Sequence, residues 1–491
     1  MKLTKLMQTL PVYQTIQSIE HIEVNGIEMD SRAIQNGNVF ICINGYTVDG
    51  HDFVDQAIHN GAVAIVAERP LQVSVPVIVV QNSARAMAKL ASYFYHQPTQ
   101  QLHLIGVTGT NGKTTTSYLI DRIFRAYNQR TGLIGTIQMN IVDQSYEVKN
   151  TTPDALFLQR HFAKMVDHQV NTAVMEVSSH ALDLGRVHGC DFDVAVFTNL
   201  SQDHLDYHKD MDDYLRAKSL LFSQLGNHYT GKPKYAVVNR DDSASEVLIK
   251  STAHNVVTYG LHSEATVKAE QVKLTANGTS FILVANDERI AINSKLIGRF
   301  SVYNMLAAAS AAWVSGVPLS TIKEALEQTT GVSGRFEPVL CGQDFGVIVD
   351  YAHTPDSLEN VLQTIQSFVE GKAIVVVGCG GNRDASKRPL MANVAVQHAT
   401  KAIFTSDNPR KEDPVAILND MEAGVVGQEY EVIVDRREAI CAAIQQAQPG
   451  DVVLIAGKGH ETYQEVNGVR SHFDDREVAT ECIEVKQSKE K

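Results

Sequence analysis

The chain has 491 residues, enough for two to four domains, and its 44% hydrophobic content with dispersed glycine and proline is that of a globular protein. A net charge of −13 excludes a non-specific nucleic-acid binder, although local basic pockets for small anions remain open. The six cysteines (42, 190, 341, 379, 441, 482) form no short paired spacing, which argues against a disulfide framework or a zinc site and for a reducing, cytoplasmic setting, and no stretch is long enough to insert in a membrane.

In chain order, residues 1–98 alternate short apolar runs (39–43, 62–67, 75–80) with helical segments such as 84–95, which predicts a small α/β unit. Gln97-Pro98-Thr99 reads as a linker. A second block, 99–330, has strands at 102–107, 172–176, 194–198 and 235–239 between helical patterns, so a mostly parallel sheet covered on both faces is expected. Within it, 265–296 has antiparallel character and is expected as a side sheet, and 300–314 is an alanine-rich helix. A third block, 331–491, has strands at 346–350, 373–378, 402–405, 430–434 and 452–456 and predicts a second doubly wound sheet, ending in a frayed polar tail over 486–491.

The most informative segment is Gly106-Val107-Thr108-Gly109-Thr110-Asn111-Gly112-Lys113-Thr114 followed by Thr115, between a strand and a helix over 115–127. Such a loop offers successive backbone N–H groups and a helix N-terminus to phosphate oxygens; Lys113 can reach the terminal phosphates and the Thr114 hydroxyl can hold magnesium. ATP and Mg2+ are therefore expected. Val107 stands where the general phosphate-loop pattern has glycine. Glu176 ends the strand 172–176, which suits a magnesium ligand or a cap of the next helix. Asp203, His204, Asp206 and His208 follow the next strand, and suit metal or phosphate work or a polar loop. Lys218, by its position alone, is a helix-surface lysine.

Together, Gly-Val-Thr-Gly-Thr-Asn-Gly-Lys-Thr, Glu-Val-Ser-Ser-His, Asn-Leu-Ser-Gln-Asp-His-Leu-Asp and Ala-Lys-Ser resemble the Mur ligase family, in order and over nearly the whole chain. The resemblance implies an ATP-dependent, amide-bond-forming enzyme of bacterial cell-wall synthesis, acting as a monomer, with three domains: 1–98 for a UDP-linked substrate, 99–330 for ATP, and a Rossmann-like 331–491 for an amino acid. It implies that Lys218 is carbamylated and that Thr114, Glu176, His204 and Lys218 are linked to magnesium. It also implies an adenine contact from Asn304, and a bearing on the nucleotide and the reacting phosphate for the segment Asp350-Tyr351-Ala352-His353-Thr354-Pro355-Asp356, with Asp350 and His353 carried over.

More specific segments narrow the substrates that the resemblance implies. Asp30-Ser31-Arg32 and 45–51 are similar to the uridine-diphosphate site of the tripeptide-forming members, with Ser31 carried over. Asn150, Thr151, Thr152, Ser178 and Arg186 are similar to the muramoyl-dipeptide site; read locally, Thr152 also suits a helix N-cap with Pro153 first in the helix. Asp407-Asn408-Pro409-Arg410 resembles the segment associated with meso-diaminopimelate, whose distal carboxylate Arg410 could clamp; Arg383, Gly457 and Glu461 are similar to further contacts to that amino acid. The implied partners are UDP-N-acetylmuramoyl-L-alanyl-D-glutamate and meso-diaminopimelate. A lysine-adding relative, a folylpolyglutamate-type ligase and a phosphate-loop regulator are the alternatives, and Arg410 speaks against the first. Ser301 and Asn382 depart from the family's usual asparagine and aspartate.

Overall fold

The computed structural model describes residues 1–45, 48–148, 150–225, 231–262, 264–275 and 278–490. Of the uridine-diphosphate segment 45–51, Tyr46 and Thr47 lie outside the described residues.

Among the described residues three main sheets follow one another along the chain, with a small two-stranded one beside the third. The first has four parallel strands, Gly26–Glu28, Asn38–Ile41, Ala62–Ala67 and Val77–Val79, in sequence order. Helix Ser83–Phe94 covers it with its alanine- and leucine-rich stripe, and Ala155 and Leu156 from further along the chain join the same core. The second sheet has eleven strands. Its central strand, His103–Thr108, lies parallel between Val194–Phe197 and Thr172–Glu176. The chain after it crosses to Thr131–Ile134, beyond Thr172–Glu176, so the loop following His103–Thr108 opens at a reversal of strand order, where doubly wound sheets bind ligands. Near-continuous apolar strands such as Ala-Val-Met (173–175) are what burial on both faces requires.

Helix Lys113–Ala126 packs on helix Arg299–Val314, whose alanines are buried nearly all round and let the two backbones approach closely. The third sheet has six strands, all parallel except Glu337–Pro338 at one edge. Helices Pro355–Gln366 and Lys387–His398 cover one face, and Arg436–Gln446 and Asp475–Glu490 the other.

Four sequence expectations need correction. The antiparallel segment is not a separate side sheet. Val267 and Lys268 pair parallel with Tyr259 and Gly260, and the strands Val267–Thr275, Gly278–Ala285 and Glu288–Ser294 extend the central sheet. Thr152 is not an N-cap: Asp154 caps helix Ala155–Asp167 by accepting from the Phe157 amide. Cys441 and Cys482 form a disulfide; they are 41 residues apart in the chain but lie across two adjacent helices, a proximity that spacing does not encode. The tail is helical to Glu490, and Lys486 is buried with its ammonium donating to the Ile444 and Gln445 carbonyls at 3.2 Å. Among the described residues no helix is long and apolar enough to cross a membrane.

Candidate active site

The phosphate loop is shaped by two glycines and held from one side by residues 198–201. Gly109 has φ +149°, and a Cβ there would lie 1.9 Å from the Thr198 hydroxyl. Gly112 has φ +84° and packs on the Asn304 amide. The Thr110 amide donates to the Asn199 carbonyl and the Asn111 amide to Asn199 Oδ1, while Thr198 Oγ1 donates to the Asn111 carbonyl at 2.6 Å. Val107, where a general phosphate loop carries glycine, is a buried strand residue.

Two lysines converge on one carbonyl. Lys113 Nζ donates to Gly109 O at 3.0 Å and to Thr110 O at 2.8 Å, and Lys218 Nζ donates to Gly109 O at 2.8 Å. Lys218 is 1% exposed and its ammonium lies 4.2 Å from the Tyr214 ring centroid, so it is not the surface lysine that position alone suggests. Burial, and next the charge of Lys113, hold its pKa well below the ordinary lysine value; desolvation also lowers that of Lys113.

Glu176 is buried and is no helix cap; Ser178 caps the next helix. Its Oε2 accepts from Thr114 Oγ1 at 3.0 Å and Thr136 Oγ1 at 2.9 Å, and its Oε1 from the Thr136 amide at 2.8 Å. Carboxylate and hydroxyl oxygens beside a phosphate loop suit a hard cation such as Mg2+. Among the described residues no group of three or more His, Cys, Asp or Glu side chains converges as a metal cage. His204 lies 3.4 Å from Asp203 and edge-on to the His180 ring; burial pushes its pKa down to about 3.

A cavity of about 280 Å³ lies beside the loop. Asn111, Gly112, Thr115, Asn304 and Asp350 line it, with Arg299, Tyr303, Arg335 and Asp356. Asn304 accepts from Thr116 at 3.4 Å. Both Asp350 carboxylate oxygens accept backbone amides, those of Phe336 and Ala352, so this acid shapes the wall. Arg335, which the sequence does not mark, and Asp356, the last residue of the segment 350–356 expected at the nucleotide, come from the third block. Arg335 donates to Thr114 Oγ1 at 3.1 Å, lies over the Tyr351 ring, and keeps a buried Nε that has no hydrogen-bond partner among the described residues. Asp356 accepts from Asn111 Nδ2 at 2.8 Å and Ser201 Oγ at 3.2 Å.

A second cavity, of about 250 Å³, opens on the other side of Tyr351. Its walls bring Thr151, Asp203 and His204 of the second block opposite Arg383, Asp407, Asn408, Arg410, Gly457 and Glu461 of the third. His353 also faces it, 3.8 Å from Asp203, and burial lowers its pKa to about 4. Lys387, likewise missed, lies 3.8 Å from the same carboxylate. Pro409 supports the turn: its carbonyl accepts from the Glu412 amide and packs against Gly381. Glu461 Oε2 accepts from Asn408 Nδ2 at 2.8 Å and Lys458 Nζ at 3.1 Å; burial, and then the Asp407 charge, raise its pKa.

Of the residues carried over to the UDP-linked substrate, Thr151 lines this cavity, and Thr152, Ser178 and Arg186 are hydrogen-bonded to one another. Thr151 Oγ1 lies 3.0 Å from Thr136 Oγ1, Thr152 Oγ1 donates to Glu176 O at 2.9 Å and accepts from the Ser178 amide at 3.0 Å, and Arg186 donates to the Thr152 carbonyl at 2.9 Å. Asn150 is exposed beside them. Ser31 sits in the first block, donating to Gln56 Oε1 at 2.7 Å.

The chain is similar to known proteins over nearly its whole length. The family models for the Mur ligase family catalytic domain, the Mur ligase middle domain and the Mur ligase glutamate ligase domain match residues 23–95, 107–312 and 334–459. The UDP-N-acetylmuramoyl-L-alanyl-D-glutamate–2,6-diaminopimelate ligase of Bacillus cereus is 58% identical over 484 residues, which span 98% of each chain. A solved structure of a ligase of that name superposes with a TM-score of 0.70 at 36% identity, covering 98% of this chain and 99% of that one. The MurF ligase of Thermotoga maritima, solved in complex with ADP, shares the fold with a TM-score of 0.65 at 19% identity, over 96% of this chain and 99% of that one. With family models matched in all three blocks and identity sustained over nearly its whole length, the chain belongs to the Mur ligase family.

Proposed function

We propose that this protein joins meso-diaminopimelate to the γ-carboxylate of the D-glutamate in UDP-N-acetylmuramoyl-L-alanyl-D-glutamate, converting ATP to ADP and phosphate, and so makes a peptidoglycan precursor in the cytoplasm. In this reading residues 1–98 take the uridine diphosphate, 99–330 the ATP and 331–491 the amino acid, and the enzyme works as a monomer.

A carboxylate is a poor electrophile until it is phosphorylated. The substrate carboxylate attacks the γ-phosphorus of ATP, the bond to ADP breaks, and an acyl phosphate forms. Lys113, at the loop, and Arg335, with its unpartnered Nε, are the chain's cations for the charge spread over the transferring group. The diaminopimelate amine then attacks the acyl carbon, phosphate leaves, and the amine gives up a proton. That proton ends on water; His353, which lines the cleft and is held neutral by burial, is placed to relay it and not to keep it. Thr114, Glu176, His204 and a carbamylated Lys218 would hold magnesium, which supplies charge neutralisation at the phosphates when bound. A lysine whose pKa is depressed has the neutral amine that reaction with carbon dioxide requires, and this supports carbamylation of Lys218.

The observation that carries this reading is the second cavity, where Arg410, Asp407 and Glu461 share one space with His204 and Thr151. An arginine and two acids facing one cleft match an amino acid whose far end bears both a carboxylate and an ammonium group. Phosphate release with ATP, the UDP-linked dipeptide and either meso-diaminopimelate or L-lysine tests it. Release with diaminopimelate should exceed that with lysine at least about thirtyfold, from the ~2–5 kcal/mol that a charge-paired contact contributes. Equal use of both amino acids overturns the specificity, and no release with either overturns the reaction.

A further inference from the structure

The Asp407–Arg410 turn is held by a part of the chain to which the mechanism gives no role. Strands Tyr463–Val466 and Val469–His472 form a two-stranded hairpin outside the main sheets. Its turn, Asn467-Gly468, has φ of +51° and +78°, the left-handed pair of a two-residue hairpin whose twist matches its strands. A lone two-stranded hairpin is marginal in water, so this one depends on what it packs against. It packs against the turn. The Arg410 amide donates to Glu465 O at 3.0 Å, and the Asn467 amide to Arg410 O at 2.5 Å. The Glu465 amide donates to Asn408 Oδ1 at 2.9 Å, and Gln464 Nε2 to Asp407 O at 2.8 Å. Asp407, Asn408 and Arg410 are thus each tied to one strand.

The tie matters most at Arg410. Its φ is +53°, a left-handed conformation that costs a residue with a side chain and persists where neighbours over-determine it. Here the two hairpin bonds bracket that residue's amide and carbonyl, while its guanidinium donates to Gly381 O at 2.8 Å. The same strand reaches the other charged end of the cleft. Tyr463 lies between Lys458 Nζ and the Arg470 guanidinium, 5.3 and 4.2 Å from its ring centroid, with its hydroxyl 3.5 Å from Glu461 Oε1.

We infer that the hairpin 463–472 is a specificity-determining brace: it touches no substrate, but it holds Arg410 in the backbone conformation, and Glu461 in the orientation, with which the cleft selects its amino acid. This rests on the proposed assignment of Asp407, Arg410 and Glu461 to that amino acid.

The test replaces both turn residues, Asn467→Ala with Gly468→Ala, because alanine resists two consecutive left-handed positions. Gln464→Met is a milder variant that keeps bulk and removes one donor. In the turn variant KM for meso-diaminopimelate should rise about tenfold or more, with the preference over lysine falling in parallel, since small misplacements of a positioning group are amplified in this way. KM for ATP and for the UDP-linked dipeptide should stay near the wild-type values. Asn467→Gly, which keeps the left-handed conformation, should behave as wild type. Hydrogen exchange in parallel should show the Arg410 amide losing protection in the turn variant.

Unchanged diaminopimelate KM in both the turn variant and Gln464→Met overturns the brace, as does a rise of all three KM values together. If the wild-type protein fails to use diaminopimelate, the functional reading is what fails. The exchange experiment still decides the brace in that case: retained protection of Arg410 in the turn variant overturns it, and lost protection upholds it.

Discussion

Lys218 shows how much of this site is decided by single side chains. Its helix, Met211–Ser223, buries Tyr214, Ala217, Lys218, Leu221 and Phe222, the i, i+3, i+4, i+7, i+8 stripe of a core-facing helix. A lysine on that stripe loses its hydration, so its cationic form is disfavoured and the amine becomes available for modification. Lys218→Ala should therefore lose about a hundredfold or more of the ligation rate, the scale for removing one preorganised charge-stabilising group. Short carboxylic acids, which can occupy the space of a carbamate, should restore part of it. Steady-state rates with and without added acetate check this, and a variant with wild-type rates removes Lys218 from the reaction. The spacing of Tyr214 and Phe222 carries this stripe, but position alone puts Lys218 on the helix surface, because lysine is the residue type least expected on a buried face. Arg335 and Lys387 carry no such local signal. Each is one charged residue in a loop or helix of the third block, and only docking on the second block brings it to the site.

At the scale of elements, apolar strands buried on both faces were read to the residue: Ala62–Ala67, Thr172–Glu176, Tyr235–Asn239, Gly346–Asp350 and Val452–Ala456 stand where the pattern placed them. The hairpin 463–472 was overlooked although Asn467-Gly468 is a strong local turn signal, because its strands are short and largely exposed. The disulfide and the joining of the antiparallel strands to the central sheet depend on pairings that no local pattern carries. The phosphate loop joins strand to helix at Gly112, and here conformation and space act together. Left-handed φ costs a residue with a Cβ about 1–2 kcal/mol. The Cβ would also meet Asn304 Oδ1 at 2.3 Å, on the helix that lines the cavity beside the loop, the proposed nucleotide site. Gly112→Ala should raise KM for ATP about tenfold, with a smaller effect on KM for diaminopimelate, whose cavity has other walls. Titrating ATP and amino acid separately distinguishes this from a general loss of structure, in which both would change.

At the scale of the whole molecule, both cavities exist only because the third block closes on the second. Asp356, in the first turn of helix Pro355–Gln366, accepts from Asn111 in the phosphate loop and from Ser201 in the segment that holds that loop. Arg335 reaches Thr114 from the same side. The phosphate loop is therefore part of the docking surface, and the contact between the two blocks is coupled to the place where the proposed reaction transfers its phosphoryl group. The coupling has a chemical purpose in the proposed reaction. An acyl phosphate is open to water, and a closed cleft keeps water away until the amine attacks. Asp356→Ala removes the acceptor from both central-block donors without touching Lys113, Lys218 or Arg410. The expected outcome is uncoupling: phosphate continues to be released, but less amide product forms per phosphate, and the deficit grows as diaminopimelate becomes limiting. Measuring phosphate and amide product in the same reaction gives the ratio directly. A ratio that stays at one while the rate falls would mean that Asp356 serves nucleotide binding alone, and that closure rests on Arg335 and its neighbours.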